Sequence, residues 1–552
     1  MCIMKQTISK KVIAIALLFA FVTASLGLSA CTAEPQEEPK QISFAYTLTD
    51  QEVEEAFASI AQLEAYIDSG KNRKIVSAVD VMDEKLDYVD HQHGIGRISY
   101  YSDMDDETAY ENYVHAEDRY LALDEERMRV LKKLYHSPLS AKDDVFADWN
   151  ERELKKMETS SEIVTALEQE QKNMVREYLE LDDSDPEAWS EAVDEIYYRF
   201  VNSARQLATC YGYDSYYDYA SWEIYIRKYT PQQRESFRSN VKEHILPFYL
   251  EVDAQLYEKY ESLTKEQKMQ LSALKYDVCR SDNKYLTGYM DSYPEELRSI
   301  MYNLFTRDAA VYTEKDTAHY AAYTSYSEYY DQPYVFFGND LQDLLTVVHE
   351  MGHYASLYHF ADKDLPYDTC EVHSQANEWL LLHYLGDKID KEVFETFLLW
   401  RLGYGLSTIV DCTIIDEYEE IVYTQEDIAS PDEFKQIMYQ VLDGYENIDW
   451  VISYDDFYNY TQHVVLESPV YYLSYATSEL VSMLFYTVAE EQGYESAQEL
   501  YLNLCLKTPN DNLFFDTLMD VGLPNPFEVN TMHRLVEAFA GITDTAQIQQ
   551  AA

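Results

Sequence analysis

The stretch HEMGHYASLYH, residues 349–359, combines side-chain types that hold and use a metal ion. His349 and His353 are four residues apart, so on a helix their imidazoles share one face and can bind one ion. The carboxylate of Glu350, beside the first histidine, can take a proton from a water molecule without binding the metal. The pattern indicates metal-assisted hydrolysis. The alternative, two structural histidines on a helix, is less favoured because the apolar run LLTVV before the motif suits a buried active-site helix.

The third metal ligand is not fixed by the motif itself. If the helix continues, His359 lies about 9 Å along the axis from His353 and on another face, which makes it a poor ligand. A second predicted helix, TCEVHSQANEWLLLHYLG, follows the loop that contains Pro366. Glu371 in its first turn is the predicted third ligand, and it leaves one coordination position open for water. Glu378, two turns later, either orients a ligand histidine or is an ordinary exposed acid.

The elements that must position these residues are predicted to be mainly helices. Only 15 glycines and 14 prolines occur in 552 residues, which favours long uninterrupted elements. The clearest strand candidate is QPYVFFGND, residues 332–340, in which the β-formers Tyr334, Val335, Phe336 and Phe337 are bounded by Pro333 and Gly338. A strand that leads into the motif helix could place a backbone edge beside the reacting centre. The alternative is a short buried strand with no contact to a ligand.

Charge and composition limit the classes of partner. Hydrophobic residues make up 47% and charged residues 26% of the chain, as in a globular protein. The formal net charge of −57 repels phosphate backbones and anionic membranes, so nucleic-acid binding is not expected. A tyrosine has an apolar ring and a polar hydroxyl, so the 52 tyrosines suit packed surfaces whose edges meet water. The charge favours cationic partners, and we expect the protein to be a monomer.

Residues 1–30 have the pattern of an export signal. Three lysines and no acid precede or flank the apolar run VIAIALLFAFVTA, which is short for a membrane span. LSAC, residues 28–31, resembles the lipobox of bacterial lipoproteins, in which Cys31 becomes the first residue and carries the lipid. An ordinary signal peptide with a chance cysteine is the alternative. Residues 31–46 are then a polar tether, and the predicted location is outside the cytoplasmic membrane.

Several motifs in order resemble the oligoendopeptidase F and thimet oligopeptidase family of zinc metallopeptidases. HEMGH is followed by EVHSQANEW, which is similar to the family's glutamate-ligand helix. YGYDSYYDYASWEIYIRKYTPQQ, AAYTSYSEYYDQPYVFF and HVVLESPVYYLSYATSEL also resemble family segments. The resemblance extends over residues 195–530.

The resemblance implies one zinc ion held by His349, His353 and Glu371, with Glu350 as general base. It also implies that the tyrosine segment supplies a hydrogen-bond donor to the peptide oxyanion. Tyr475 matches the family's donor, Tyr472 lies nearby, and a histidine upstream corresponds to His463. The alternative for all three is a structural role in a tyrosine-rich wall.

The implied fold is a mainly α, two-lobed helical zincin with a deep central channel and a small β element beside the active-site helix. Residues 47–200 form an N-terminal helical region and residues 201–540 the catalytic region. The implied function is zinc-dependent hydrolysis of short, unstructured oligopeptides at the outer face of the cytoplasmic membrane. A dipeptidyl carboxypeptidase and a non-catalytic peptide- or zinc-binding lipoprotein remain as alternatives.

Overall fold

The computed structural model describes residues 41–541, apart from 148, 160, 180, 182–185, 320, 340, 361–364, 426, 427, 429 and 508–512. The predicted signal segment, Cys31 and most of the predicted tether lie outside the described residues. The predictions for these segments therefore stay predictions.

The described chain is mainly helical, as the resemblance implied. The α-helices are α1 Asp50–Asp68, α2 Ile75–Ser102, α3 Glu107–Tyr135, α4 Ala141–Val145, α5 Glu151–Glu158, α6 Ser161–Leu179, α7 Pro186–Cys210, α8 Tyr216–Tyr219, α9 Pro231–Asn240, α10 Leu246–Ser262, α11 Lys265–Tyr276, α12 Lys284–Ser292, α13 Glu295–Thr306, α14 Leu344–Phe360, α15 Tyr367–Leu385, α16 Lys391–Thr424, α17 Asp432–Leu442, α18 Tyr454–Glu467, α19 Leu473–Gln492, α20 Tyr494–Lys507, α21 Phe514–Val521 and α22 Val529–Ala540. Short π-helical turns cover Ala220–Ile224 and Val241–Ile245, and 3₁₀ turns cover Asn72–Lys74 and Ile448–Trp450.

The small β element is a three-stranded sheet of β1 Ala310–Tyr312, β2 Ala322–Ser327 and β3 Gln332–Phe337, in the order β1-β3-β2. Strand β3 pairs in parallel with β1 and antiparallel with β2, so that Val335 lies opposite both Ala310 and Thr324. Every residue of β3 is buried, as expected for a central strand covered on both faces. The strand predicted within QPYVFFGND is present as β3, and its sheet packs against α14.

The first three helices form a separate apolar cluster. At the start of α1, Thr49 and Glu52 form a reciprocal capping box that satisfies the first backbone N–H groups. Val53, Ala56 and Ile60 follow at helical spacing and are buried against α2 and α3. The last turns of α2 extend past this cluster, where Ile95 packs with aromatic residues of the sheet. The N-terminal region thus contacts the element that lies beside α14.

The second core surrounds α14, α15, α16 and α19, which pack on one another. Helix α16 is the one described helix that is long and apolar enough to cross a membrane. However, 72% of its most apolar window is buried inside the protein. Its apolar composition is therefore explained by its place between other helices, because a helix that is hydrophobic all round suits a large core.

Candidate metal centre

The structure brings the three predicted ligands together. One donor atom each from His349, His353 and Glu371 lie within 4.8 Å of one another. Oε2 of Glu371 is 3.8 Å from Nε2 of His349 and 3.6 Å from Nε2 of His353. His353 and Glu371 are buried, whereas His349 is partly accessible. His359 lies on the exposed last turn of α14 against Phe360, outside this group.

A glycine allows the two ligand helices to approach closely. A Cβ atom at Gly352 would lie 2.3 Å from the carbonyl oxygen of His373 and 2.6 Å from Cα of Ser374. The α14 backbone therefore rests directly on the α15 backbone, one turn from Glu371. The side chain of Asn377 fixes the same pair of helices, since its Nδ2 donates to the carbonyl oxygen of Val348 at 2.6 Å. This contact sets the distance between the His pair and the carboxylate.

Glu350 is buried beside the ligand group and is held by the sheet. The hydroxyl of Thr324, on β2, donates to Oε2 of Glu350 at 2.6 Å. Among the described residues, no hydrogen bond engages Oε1 of Glu350. One carboxylate oxygen is thus oriented by the strand, and the other is left to accept a proton.

A chain of buried charges orients His349. Oε1 of Glu378 lies 2.7 Å from Nδ1 of His349, and its Oε2 accepts from Nε of Arg401 at 3.0 Å. Arg401 also donates to Glu479, which accepts from Nε1 of Trp379. Burial raises the pKa of Glu378, but Arg401 and His349 together lower it below its ordinary value. An ionised Glu378 accepts a hydrogen bond from Nδ1–H of His349, which leaves Nε2 without a proton and directed at Glu371. Glu378 is therefore not an exposed helix acid.

Glu371 receives a hydrogen bond that the sequence analysis did not assign. The hydroxyl of Tyr471 donates to Oε1 of Glu371. Burial raises the pKa of this carboxyl, but His353, His349 and the Tyr471 hydroxyl together lower it to about 2. Glu371 is therefore a carboxylate at neutral pH, the form that binds a cation. In the sequence, the position of Tyr471 in the tyrosine-rich segment VYYLSY could have indicated its place in the site.

The loop before Tyr471 is held in a strained conformation. Val470 has φ of 62°, which is an outlier for a β-branched residue. Its N–H donates to Oε1 of Glu419 at 2.7 Å, and its carbonyl oxygen accepts from the guanidinium of Arg227. Both partners are buried. Strain of this kind persists where surrounding contacts over-determine the backbone, and here it fixes the tyrosine that follows.

Asp368, one turn before Glu371, ties α15 to its neighbours. It accepts from the hydroxyls of Tyr229 at 2.8 Å and Ser474 at 3.1 Å, and it lies 3.6 Å from Nε of Arg227. The residue is completely buried. Sequence reasoning missed this acid, which resembles any first-turn helix acid until the tertiary contacts are seen.

The two predicted tyrosines, Tyr472 and Tyr475, both lie beside Tyr471, and different charges act on their hydroxyls. Burial raises the pKa of the Tyr475 hydroxyl well above its ordinary value, and the charges of Glu371 and Glu350 add to this rise. The Tyr475 ring packs edge-on against the ring of Tyr471, with centroids 5.1 Å apart, and Tyr471 donates to the ligand Glu371. For Tyr472, burial also raises the pKa, but the charges that contribute are those of Tyr460, Cys412 and Glu467. The Tyr472 ring lies 5.9 Å from that of Tyr471 and 6.1 Å from that of Tyr475, and its catalytic role stays a prediction.

His463 lies on α18 in contact with the N-terminal part of the chain. Its Nδ1 is 2.7 Å from the hydroxyl of Tyr178, and its ring stacks on Trp189 at 4.4 Å. These partners belong to α6 and α7, not to α14 or α15. The structure therefore gives His463 a packing environment, and its predicted catalytic role stays a prediction.

The donor set fits a bound metal ion. Two imidazole nitrogens and one carboxylate oxygen are a set that zinc takes in catalytic sites, with the fourth position left for water. A cavity of about 870 Å³ lies elsewhere, among residues of α3, α5, α6 and α7 and near Glu467. None of the three ligand residues lines this cavity. The three ligand residues, and not this cavity, therefore mark the candidate active site.

No protein-family model and no curated protein matches this chain. Solved structures do match. PZ peptidase A with an inhibitor superposes with a TM-score of 0.68 at 18% identity, over 92% of this chain and 99% of that chain. A protein from Bacillus anthracis str. Ames described as an oligoendopeptidase F has a TM-score of 0.66 at 18% identity, over 92% and 98%. Oligoendopeptidase-F from Enterococcus faecium has a TM-score of 0.60 at 13% identity, over 92% and 100%.

This chain has the oligoendopeptidase F fold. The likeness covers nearly the whole length of each neighbour, so the mainly α architecture with its small sheet is confirmed. Within the oligoendopeptidase F fold, Glu350 and its neighbours occupy the junction of sheet and helices described above. At these identities the likeness establishes the fold, and the chain's own residues carry any argument about activity.

Proposed function

We propose that this chain is a zinc-dependent endopeptidase that hydrolyses short, unstructured oligopeptides. The observation that carries this proposal is the position of Glu350. Its carboxylate is buried beside His349, His353 and Glu371 and is oriented by Thr324. A protein that only captures a metal or a peptide needs no oriented base next to its metal ligands.

The residues of the site have separate tasks. A bound zinc ion would acidify a water molecule and polarise a peptide carbonyl. Glu350 accepts the proton of the attacking water on its Oε1, while Thr324 holds Oε2 in place. Tyr475, whose ring packs on Tyr471 beside the ligand group, donates a hydrogen bond from its hydroxyl to the carbonyl oxygen as negative charge develops there. Glu378 keeps Nε2 of His349 directed at the metal.

The names of the structural neighbours support a peptide substrate, because they are described as a PZ peptidase and oligoendopeptidases. We therefore expect flexible peptides of roughly 5 to 20 residues to be cut, since a narrow concave site excludes folded chains. Efficient cleavage of a stably folded protein at internal loops would contradict this size limit.

The test is a peptide library incubated with the purified mature protein, with and without chelator, and analysed by mass spectrometry. We expect cuts inside the peptides, their loss with chelator and their return with zinc. Glu350→Gln should retain the metal while cleavage falls by about 100-fold or more. Cuts confined to the last two residues would favour a dipeptidyl carboxypeptidase. Binding without any cut by a metal-loaded wild type would favour the non-catalytic alternative.

We further propose that Cys31 carries a lipid and that the monomeric enzyme works outside the cytoplasmic membrane. The support is the sequence of residues 1–46: a basic start, an apolar run, LSAC and a polar tether. Expression of the full chain should place it in the membrane fraction, and Cys31→Ser should release it or block its processing. An unchanged membrane fraction and processed mass for Cys31→Ser would refute the anchor.

A further inference from the structure

A second segment with a strained backbone contacts the loop before Tyr471. Ile226 has φ of 57°, and it is β-branched like Val470, whose φ is 62°. Positive φ at a β-branched residue is a genuine outlier. The π-helical turn Ala220–Ile224 ends two residues before Ile226, and such turns are frequent at functional sites. Irregular backbone is therefore present on both sides of this contact.

Two side chains of the second segment bind consecutive carbonyl groups of the loop. The hydroxyl of Tyr225 donates to the carbonyl oxygen of Pro469 at 2.7 Å. Nη2 of Arg227 donates to the carbonyl oxygen of Val470 and, at 3.4 Å, to that of Tyr471. The guanidinium of Arg227 also lies over the Tyr225 ring, 4.7 Å from its centre. Three successive peptide groups of the loop are thus held by one segment.

Helix α16 holds the same loop through a backbone N–H group. Oε1 of Glu419, on α16, accepts from the N–H of Val470 at 2.7 Å. Within the described part of the chain, Oε2 of Glu419 and both Nε and Nη1 of Arg227 are buried without a hydrogen bond. Buried polar atoms without partners reduce stability. Backbone strain and unpaired groups of this kind persist where they serve a functional site.

Arg227 also reaches the helix that carries the carboxylate ligand. Its Nε lies 3.6 Å from Oδ2 of Asp368, which is one turn before Glu371 on α15. The loop residue Tyr471 donates its hydroxyl to Oε1 of Glu371. One guanidinium therefore contacts the backbone of the donor and the helix of the acceptor. Its position sets the distance between the two partners of this hydrogen bond.

We propose that Arg227 is a positioning residue for the metal centre, which acts by holding Tyr471 against Glu371. Glu419 has the same task through the N–H of Val470. This inference rests on the proposed function, because metal-assisted hydrolysis needs a carboxylate ligand that is fixed in place. Arg227 and Glu419 do not belong to the ligand group, so their effect on the metal passes through the Tyr471 hydroxyl.

The test is a double-mutant cycle on zinc affinity, measured by competition with a chromophoric chelator. Arg227→Lys keeps the charge beside Asp368 but lacks the fork of N–H donors that reaches two carbonyl oxygens. We expect zinc affinity to fall by about three- to tenfold, less than when a group bonded to a ligand is lost. In the Tyr471→Phe background the same change should alter the affinity by less than about twofold, because the hydroxyl through which Arg227 acts is already absent.

Glu419 provides a second, independent pair of variants. Glu419→Leu removes the acceptor of the Val470 N–H group and should lower zinc affinity by about three- to tenfold. Glu419→Gln restores an acceptor, so its affinity should return to within about twofold of the wild type. Arg127→Met is the matched control, because it removes a similarly buried arginine that pairs with Asp83 in the N-terminal cluster. It should leave zinc affinity unchanged even if the melting temperature falls.

The cycle separates positioning from a general structural role, since a general loss of structure lowers the affinity equally with and without the Tyr471 hydroxyl. Equal factors in the two backgrounds, or an unchanged affinity in Arg227→Lys, overturn the proposal. If Arg227→Lys does not fold, the Glu419 variants decide, and equal affinities of Glu419→Gln and Glu419→Leu reject the positioning role. Zinc affinity is measured without any cleavage, so this proposal and the proposed function can fail independently.

Discussion

The carboxylate of Glu378 joins His349 to Arg401, with Oε1 2.7 Å from Nδ1 of the histidine and Oε2 3.0 Å from Nε of the arginine. One acid on α15 thus orients a ligand on α14 and neutralises a buried cation on α16. The position of the first imidazole therefore depends on three helices.

Replacing this acid should weaken metal binding. Glu378→Gln keeps an acceptor for the imidazole but removes the charge that favours the correct tautomer and pairs Arg401. We expect metal affinity to fall by about 10- to 100-fold, the usual effect of losing a group that orients a ligand. Competition with a chromophoric chelator measures this affinity. Glu395→Gln, which changes a surface acid paired with Lys259, is the control. Equal affinities for both variants would contradict the orienting role.

The close contact of α14 and α15 gives a prediction about stability. Gly352→Ala would place a methyl group 2.3 Å from the carbonyl oxygen of His373, so the backbones must separate. We expect a loss of about 1 to 3 kcal/mol in the free energy of unfolding, with weaker metal binding. Gly403→Ala is the control, because its nearest neighbour is Cγ1 of Val252 at 3.5 Å. It should be neutral or stabilising by up to about 1 kcal/mol. Denaturant unfolding compares the two, and equal losses would refute the contact argument.

Substitutions of two tyrosines in the same segment should have different effects. Tyr475→Phe removes a donor to the developing oxyanion, so turnover should fall by about 100- to 1,000-fold with metal content and melting temperature unchanged. Tyr471→Phe removes a hydrogen bond to Glu371, so the first effect should be weaker metal binding. Tyr472→Phe serves as comparison, because this ring belongs to the same aromatic cluster as Tyr471 and Tyr475. Near-normal turnover in Tyr475→Phe would remove it from the mechanism.

Asp87 on α2 gives a prediction about pH. Burial and then Asp83 and Asp90 raise the pKa of its carboxyl to about 7 in the folded state. A raised pKa means that the unfolded chain loses this proton first, so stability falls as pH rises from about 4 to 7 and stays low above that. Asp87→Asn should therefore raise the melting temperature at about pH 8 more than at about pH 4. Glu54→Gln, an exposed acid on α1, corrects for the loss of net charge. An equal gain at both pH values would refute the assignment.

The sequence predicted what depends on local periodicity. The spacing of His349 and His353, the β-formers of QPYVFF and the long helices all follow from short-range rules. Glu371 could be predicted as a ligand because it lies near the start of the next helical segment. The contacts that complete the site could not be predicted from the sequence, because Thr324, Arg401 and Tyr471 come from distant parts of the chain. Their roles arise from tertiary packing that spacing along the chain does not encode.

His463 and Gly352 show the same limit of prediction from sequence. The distance of His463 from the tyrosine segment did not predict that its ring stacks on Trp189, and its catalytic role stays a prediction. Gly352 lies inside the HEMGH motif, but the sequence does not show why a glycine is required there. The reason is the backbone of His373, which packs directly against it. A motif therefore indicates the chemistry, whereas the fold decides which neighbours support it.

The central claim is that two imidazoles of α14 and one carboxylate of α15 hold the metal. Elemental analysis of zinc per chain, after dialysis of wild type, Glu371→Ala and His359→Ala purified side by side, tests it most directly. We predict one zinc ion per chain in the wild type and in His359→Ala, and a large loss in Glu371→Ala with the helical content of all three unchanged. Full zinc occupancy in Glu371→Ala together with loss in His359→Ala would contradict the account.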